Sequence, residues 1–388
     1  MNNLQIGITG LVRSAVKGEK AVLPNDFNWT AALRLAKRHQ IIPLIYYGII
    51  NSEIRIPDDV FAQIENISYK SIAVSHNQLY ELENLYRAFE RSGIEYMPLK
   101  GAVIKQLYPR PEMRTMGDAD ILIKTEQYEK IRAIMRNAGF KEAVESDHEL
   151  IWNKSSIHLE LHKRLIPSYN KDYYAYYGDG WKLAVPDTGS RYKMSDEDTF
   201  IYIFTHYAKH YRDGGIGIRH ITDLYIYLSA KSDLNKEYIE AELKKLNLLD
   251  FYNNTLHTLN VWLNGEKSDE MSDFITEKIF ESGSYGTYKA HIMSGAVKAS
   301  KSGGNVRIKR VIGLIAPPYG HMCDKYPVLK KAPFLLPAMW IVRLTEILFK
   351  KRDGIDRQRK ELSYLSEGNI NKYKHDLNYV GLDFNFKE

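Results

Sequence analysis

Apolar residues recur at helical spacing through residues 1–92. Leu79, Leu82, Leu85, Tyr86 and Phe89 form one stripe, and Gly93 follows where a helix would stop. The texture then changes. Ile94–Leu99 is a short apolar run that predicts a buried strand, and Ala102–Tyr108 predicts a short helix halted by Pro109 and Pro111. Asp118–Ile123 opens with polar–apolar alternation and predicts a strand. Thr125 is placed to cap a helix carrying Tyr128, Ile131, Ile134 and Met135, with Gly139 closing it. A strand pair is expected next, around Phe140–Val144 and Ile157–Leu161, with Ser146–Asn153 as a polar connection. Ser195 and Asp198 have capping-box spacing and open a second helical region through Phe200, Phe204, Tyr207 and Tyr211. It breaks at Gly214-Gly215, resumes over Arg219–Leu228, and more helices follow to about Phe280. No fixed-period repeat and no low-complexity tract interrupts this order.

The pattern predicts an α+β fold, with an α/β middle flanked by helical regions on both sides. The expected divisions are an N-terminal helical region over 1–92, an α/β core over 93–185, a helical domain over 186–290, and a basic linker with a helical segment over 291–388. With 388 residues, 44% hydrophobic and 26% charged, the composition excludes a disordered, collagen-like or disulfide-scaffold chain. The single Cys323 excludes an internal disulfide and a multi-cysteine zinc site, and suits a reducing cytoplasm. Met1–Lys20 has no long apolar stretch and no small-residue cleavage pattern, so no signal peptide is expected there.

The net charge of +6 is local. Between Ser282 and Cys323 stand Lys289, Lys298, Lys301, Arg307, Lys309 and Arg310 with no acidic residue, so the rest of the chain is balanced. Such a stretch suits a phosphate-bearing partner or an anionic membrane surface, or else a solvated loop. Further on, Ala332–Phe349 is mainly apolar between Lys330-Lys331 and Lys350-Lys351-Arg352. Two prolines, Arg343 and Glu346 argue against a membrane span. Trp340 and the basic flanks fit a peripheral membrane contact, but a helix packed on the protein's own core is the stronger expectation.

The segment richest in chemistry is Arg114-Thr-Met-Gly117-Asp118-Ala-Asp120-Ile-Leu-Ile. On a strand, residues two apart share a face, so Asp118 and Asp120 project together while Ala119 and Ile121 turn to the core. Paired carboxylates repel, and a cation relieves them; oxygen ligands select Mg²⁺ or Mn²⁺. Gly117 lets backbone and a metal-bound phosphate come close. In Ile157-His158-Leu159-Glu160-Leu161-His162 the alternation is clean, with His158, Glu160 and His162 on one face. Placed beside the Asp118 strand, Glu160 would complete a three-carboxylate cluster for two-metal phosphoryl or nucleotidyl transfer. The same His-x-Glu-x-His also fits the polar face of an edge strand or a separate transition-metal site.

Pro98-Leu99-Lys100-Gly101, then Arg114-x-x-Gly117-Asp118-x-Asp120, then Glu160-Leu161-His162 resemble the nucleotidyltransferase superfamily of polymerase-beta type. More narrowly they resemble the bacterial uncharacterised nucleotidyltransferases with a leucine-lysine-glycine motif. His206, His210, Arg219 and Asp223 also look like that family's helical region. The resemblance implies a small mixed sheet with helices on one side and a nucleotide across its edge. It implies that Asp118, Asp120 and Glu160 bind metal, with Glu160 the base for the acceptor hydroxyl, and that Lys100, Gly101, Arg114 and Gly117 bind the nucleotide. Ala102 departs from the usual small pair after the first glycine and leaves no hydroxyl for phosphate.

The supporting set is expected to be His162, His206 and His210, with Arg219 meeting phosphate and Asp223 ordering a histidine; tying two helices together is the other reading. His206 lacks the following glutamate of a zinc-protease motif, and Gly215-Ile-Gly217 lacks the third glycine of a dinucleotide loop. His375-Asp376 stands alone in a polar tail, and the 28 tyrosines are spread along the chain as packing residues. The reading is a cytoplasmic, Mg²⁺- or Mn²⁺-dependent enzyme moving a nucleoside monophosphate from an NTP, ATP included, to a metabolite, protein or RNA acceptor. A toxin-like enzyme acting on tRNA is a variant of it. The alternative is a catalytically silent nucleotide-binding module in a partner or membrane-surface assembly.

Overall fold

The computed structural model describes residues 1–168, 170–300, 305–317, 319, 322–323, 326–350 and 359–383. Lys301, Lys351 and Arg352 of the basic stretches lie outside them. Three helices open the chain: α1 (Asn3–Lys17), α2 (Trp29–His39) and α3 (Ile42–Ser52). The Asn2 carboxamide accepts from Gln5 N while the Gln5 side chain accepts from Asn2 N, so a reciprocal cap starts α1. A methyl on Gly48 would stand 2.2 Å from the Leu11 carbonyl, which explains how closely α1 and α3 approach. The long α4 (Asp58–Arg91) then runs beneath the sheet, presenting Leu82, Leu85 and Phe89.

Seven strands are described, in the order β3-β4-β5-β2-β1-β7-β6. They are β1 (Tyr96–Pro98), β2 (Asp118–Ile123), β3 (Lys141–Glu145), β4 (Glu149–Lys154), β5 (Ile157–His162), β6 (Val185–Thr188) and β7 (Arg191–Lys193). β2 pairs parallel with β5 and antiparallel with β1, giving the mixed sheet that the resemblance implies. One face carries Ala119, Ile121, Leu159 and Leu161 and packs on α4 and on α6 (Tyr128–Asn137). Leu122 and Met97 belong to a second, larger core on the other face.

Three local expectations are corrected. Ser146–Asn153 is not a connection, because Glu149–Lys154 forms β4 and separates the two strands expected to pair. Its buried Leu150 and Trp152 share one face, but Ile151 between them is apolar, so the strand period is masked. Thr125 does not cap α6; it begins a single 3₁₀ turn, and α6 starts at Tyr128 without a side-chain cap. Much of the described part of the basic segment is helical rather than a loop, in α13 (Tyr288–Ser300) and α14 (Val306–Ile315), and Lys298 and Arg310 pair with Asp213 and Glu361.

After a short α5 (Lys100–Ile104) and α7 (Lys171–Tyr177), the second helical region holds α8 (Asp196–Asp213), α9 (Ile218–Ala230), α10 (Lys236–Lys245), α11 (Leu249–Leu259) and α12 (Glu270–Ser282). Ser195 caps α8 through Asp198 N, as its spacing predicts. The N-terminal helices and these later helices share one continuous buried cluster, so Ile8, Leu44, Phe204 and Ile275 belong to a single core. The helix Leu336–Lys350 packs on a small separate cluster of Met322, Cys323 and Leu329, where the Trp340 indole donates to the Pro317 carbonyl at 3.0 Å. No helix among the described residues is long and apolar enough to cross a membrane.

Two glycine-containing loops, at Gly214–Gly217 and Gly283–Gly286, lock together. A methyl on Gly217 would meet Ser284 Cα at 2.9 Å, and one on Gly286 would meet the Gly214 carbonyl at 2.1 Å. The glycines that resemble half a dinucleotide loop therefore serve backbone-to-backbone packing. His39 completes the junction. Its Nε2 lies 3.2 Å from the Phe280 carbonyl, and Ile218 N donates to its Nδ1 at 3.2 Å, so Nε2 carries the proton and Nδ1 accepts. Burial, aided by the Arg38 charge and opposed by the Phe280 bond, lowers its pKa from 6.5 to about 4.

An unfolded chain therefore binds that proton more tightly, and folding stability falls as pH drops from 6.5 toward 4, then levels off. The loss is about 3 kcal/mol. Denaturant unfolding at pH 7 and pH 4 should show the stability gap between wild type and His39→Asn shrinking by that amount. A pH-independent gap would refute the assignment.

Candidate active site

Register brings the predicted carboxylates together. Asp118 stands opposite His158 and Asp120 opposite Glu160 on the central strands β2 and β5, not at the edge of the sheet. Candidate ligand atoms of Asp118, His158 and Glu160 lie within 4.8 Å of one another, as do those of Asp120, Glu160 and His162. The two aspartates differ electrically. Burial would raise the Asp120 pKa, but Lys100 Nζ at 3.1 Å and His162 Nε2 at 2.7 Å override it and hold the carboxylate ionised. Asp118 is raised, by desolvation and by the like charges of Glu160 and Asp120. His162 is pulled downward by burial, yet its bonds to Asp120 and Glu160 leave its pKa above the ordinary value.

Lys100 reaches Asp120 from a strained backbone. Its φ of +33° lies where side chains are disfavoured, at the first residue of α5. Gly101 follows, where an added methyl would stand 3.1 Å from Arg114 Nη1. Ala102 does not line the cavity; it is buried in the core beneath the sheet with Met116 and Ala119. Gly117 is open except for Tyr285 Oη, 3.2 Å from where its Cβ would stand.

Arg114 is buried and committed. Its Nε and Nη2 donate to the two oxygens of Asp223 at 2.8 and 2.9 Å, and Tyr108 Oη donates to the same carboxylate at 2.8 Å. Asp223 thus orders an arginine rather than a histidine, and the pair ties the loop before β2 to α9. The Lys105 ammonium also donates to the Arg114 carbonyl, at 2.6 Å.

These groups form one wall of a cavity of about 490 Å³. The facing wall comes from α8, α9 and the segment around Ser284. His206 and His210 place their Nε2 atoms 3.0 Å apart, and burial drives His210 down to about 3 and His206 lower than the ordinary value, so both rings are neutral. Lys209 lines the same wall, lowered to about 8 by burial and by Lys100. Arg219 Nη1 donates to the Thr115 carbonyl at 2.9 Å, and its buried Nε has no partner. Its pKa is lowered by burial and by Arg114.

Sequence reasoning missed Lys209, His148, Glu149, His220, Tyr285 and His291, all in the cavity lining. Lys209 was findable, since it shares a helical face with His206 at i+3. His148 and Glu149 went unseen with β4, and Ser284, Tyr285 and His291 arrive through the tertiary glycine contact.

Three carboxylates on two adjacent strands of a mixed sheet thus share one cavity with Lys209 of α8 and Arg219 of α9. The chain belongs to the uncharacterised nucleotidyltransferase family, whose model matches residues 25–264. No curated protein matches it. Among solved structures it is similar to the antibiotic-resistance factor ANT(2'')-Ia at 14% identity, over 50% of this chain and 100% of that one, with a TM-score of 0.33.

Removing one partner of a buried ion pair strands the other charge. Asp223→Ala should cost about 3–5 kcal/mol of stability by denaturant unfolding. Replacing both partners with apolar residues of similar volume, as in Arg114→Met with Asp223→Leu, should recover much of it. A loss under about 1 kcal/mol in the single variant would show that Arg114 is solvated and free for ligand.

Proposed function

We propose that this protein is a metal-dependent nucleotidyltransferase that moves a nucleoside monophosphate from an NTP to a hydroxyl or phosphate acceptor. The observation that carries the reading is the register of β2 and β5, which sets Asp118, Asp120 and Glu160 side by side on the cavity wall. The donor set fits hard divalent cations: three carboxylates, with Asp118 raised by burial and by its acidic neighbours and so relieved by a cation. Mg²⁺ or Mn²⁺ held by these three would supply charge stabilisation to the phosphoryl oxygens.

The chain's own groups supply the rest. Lys100 holds Asp120 ionised and stands beside the phosphate position, while Gly101 and Gly117 keep that side of the cavity free of side chains. Lys209 and Arg219 bring positive charge to the facing wall, where the leaving phosphates would lie. Arg114 supports this site through Asp223 and Gly101 rather than as a free phosphate ligand. Glu160 takes the proton of an acceptor hydroxyl as that oxygen bonds to the α-phosphorus. The α–β bridging bond breaks and pyrophosphate leaves. A phosphate acceptor needs no such proton transfer.

The silent-module reading loses its motive at Ala102, which lies in the core. Its surface motive is α14, where Ile308, Ile312 and Ile315 are exposed beside Arg307. Sedimentation with vesicles of anionic lipid tests that contact; no binding at low salt removes it, along with the membrane-peripheral location.

Calorimetry with each NTP and Mg²⁺ should give saturable binding to wild type that Asp118→Asn loses. Transfer assays over candidate acceptors should show Asp118→Asn and Asp120→Asn each slower by at least about 10²–10³-fold. Full activity in either variant would sink the assignment. Nucleotide binding without pyrophosphate release from any acceptor would favour the silent module.

A further inference from the structure

The strand that the sequence pattern concealed, β4, ends the sheet's polar face with a second group of donors. Glu149 pairs in register with His162 across β4 and β5, and His148 precedes it. His148 Nε2 lies 3.2 Å from His162 Nδ1. Glu149 Oε2 is 3.8 Å from His162 Nδ1 and 4.0 Å from His148 Nε2. We propose that His148, Glu149 and His162 form a second metal site, for a borderline-soft divalent ion of the Zn²⁺ class, distinct from the three-carboxylate site and open to the same cavity.

Geometry and donor chemistry both carry this. Two nitrogens bound at about 2.0–2.1 Å to one tetrahedral ion stand about 3.3–3.4 Å apart, close to the separation seen here. The carboxylate needs to move inward only by about half an ångström, within reach of a glutamate rotamer. Two imidazoles with one carboxylate select Zn²⁺ or Co²⁺ over Mg²⁺, which prefers oxygen and a rigid octahedron.

The surroundings already orient one ligand. Ionised Asp120 can only accept, so His162 Nε2 carries the proton of their 2.7 Å bond and Nδ1 is the atom turned toward His148. Carboxylate–histidine–metal is the usual support of a metal-binding imidazole. His148 Nδ1 is buried without a partner, and its Nε2 faces His162.

Three protein ligands leave a fourth position, and all three residues line the cavity. A set of this kind is that of a reactive zinc rather than a structural one. The open position takes an anionic oxygen, a phosphate or alkoxide of the bound substrate. The site stands on its own geometry, whether or not the carboxylate cluster transfers nucleotides.

Co²⁺ titration of the full chain in excess Mg²⁺, followed by visible absorption, is the test. One equivalent of Co²⁺ should bind with the intense bands of tetrahedral coordination. His148→Ala and Glu149→Gln should each weaken binding at least about 10-fold. Asp118→Asn should leave it within about threefold. Inorganic phosphate should shift the band, and an unmoved band would overturn the open fourth position. Absence of the tetrahedral spectrum in the wild type overturns the site outright, whatever the folding of the variants. Binding lost in Asp118→Asn but kept in His148→Ala would assign the ion to the carboxylates and overturn it equally. Failure of nucleotide transfer leaves these results untouched, so the two readings fail separately.

Discussion

Charge repulsion across one strand pair shapes the rest of this molecule. Parallel, in-register pairing of β2 with β5 puts Asp120 directly against Glu160, with Asp118 next along the same face. Adjacent strands lie about 4.8 Å apart, where two ionised carboxylates repel by about 3 kcal/mol at an effective dielectric of 20. The protein offsets this unevenly. Asp120 has Lys100 and His162 as fixed partners, while Asp118, facing the opening, keeps its unfavourable neighbours. The strained backbone at Lys100 fits this account, since the ammonium must reach a carboxylate on the neighbouring strand. A site left partly unneutralised is one prepared to receive cations.

The supports around that strand pair are stiff. Arg114 and Asp223 cross from the loop before β2 to α9 by two parallel hydrogen bonds, with Tyr108 on the same carboxylate. A buried pair of this kind adds little net stability against an apolar substitute, but it defines position closely. At the other end, residues 38–40 gather three segments. Ser284 N and Oγ donate to the carbonyls of Arg38 and His39, Thr115 Oγ1 donates to that of Gln40, and Ile218 N donates to His39. The loop that carries Asp118 and the helices that face it are thereby referenced to one junction.

Much of this was legible along the chain, for a physical reason. A strand with one buried face must alternate, so Asp118, Asp120 and Glu160 declared both their element and their shared side. The helix at Ser195 declared its cap, because an orphan N–H needs an acceptor at one offset. Most of what stayed hidden depends on partners far away in sequence. β4 was missed because apolar Ile151 breaks the alternation between the buried Leu150 and Trp152. Asp223 was misassigned because spacing cannot reveal that an arginine, and not a histidine, arrives from residue 114. Ala102 looked like a defect in the phosphate cradle, and only packing places its methyl below the sheet. The basic stretch before Cys323 read equally well as a loop, since its helices lean on distant Asp213 and Glu361.

The cavity is assembled from two stretches of the chain, one within the family match and one beyond it. The region shared with the family ends at residue 264, and it holds every carboxylate on the sheet wall. Ser284, Tyr285 and His291 line the same cavity from beyond that boundary. A chain cut at the family limit would keep the carboxylates and lose this side of the enclosure. Substitutions at these three residues would change the volume and polarity of the enclosure without touching a carboxylate of the sheet wall.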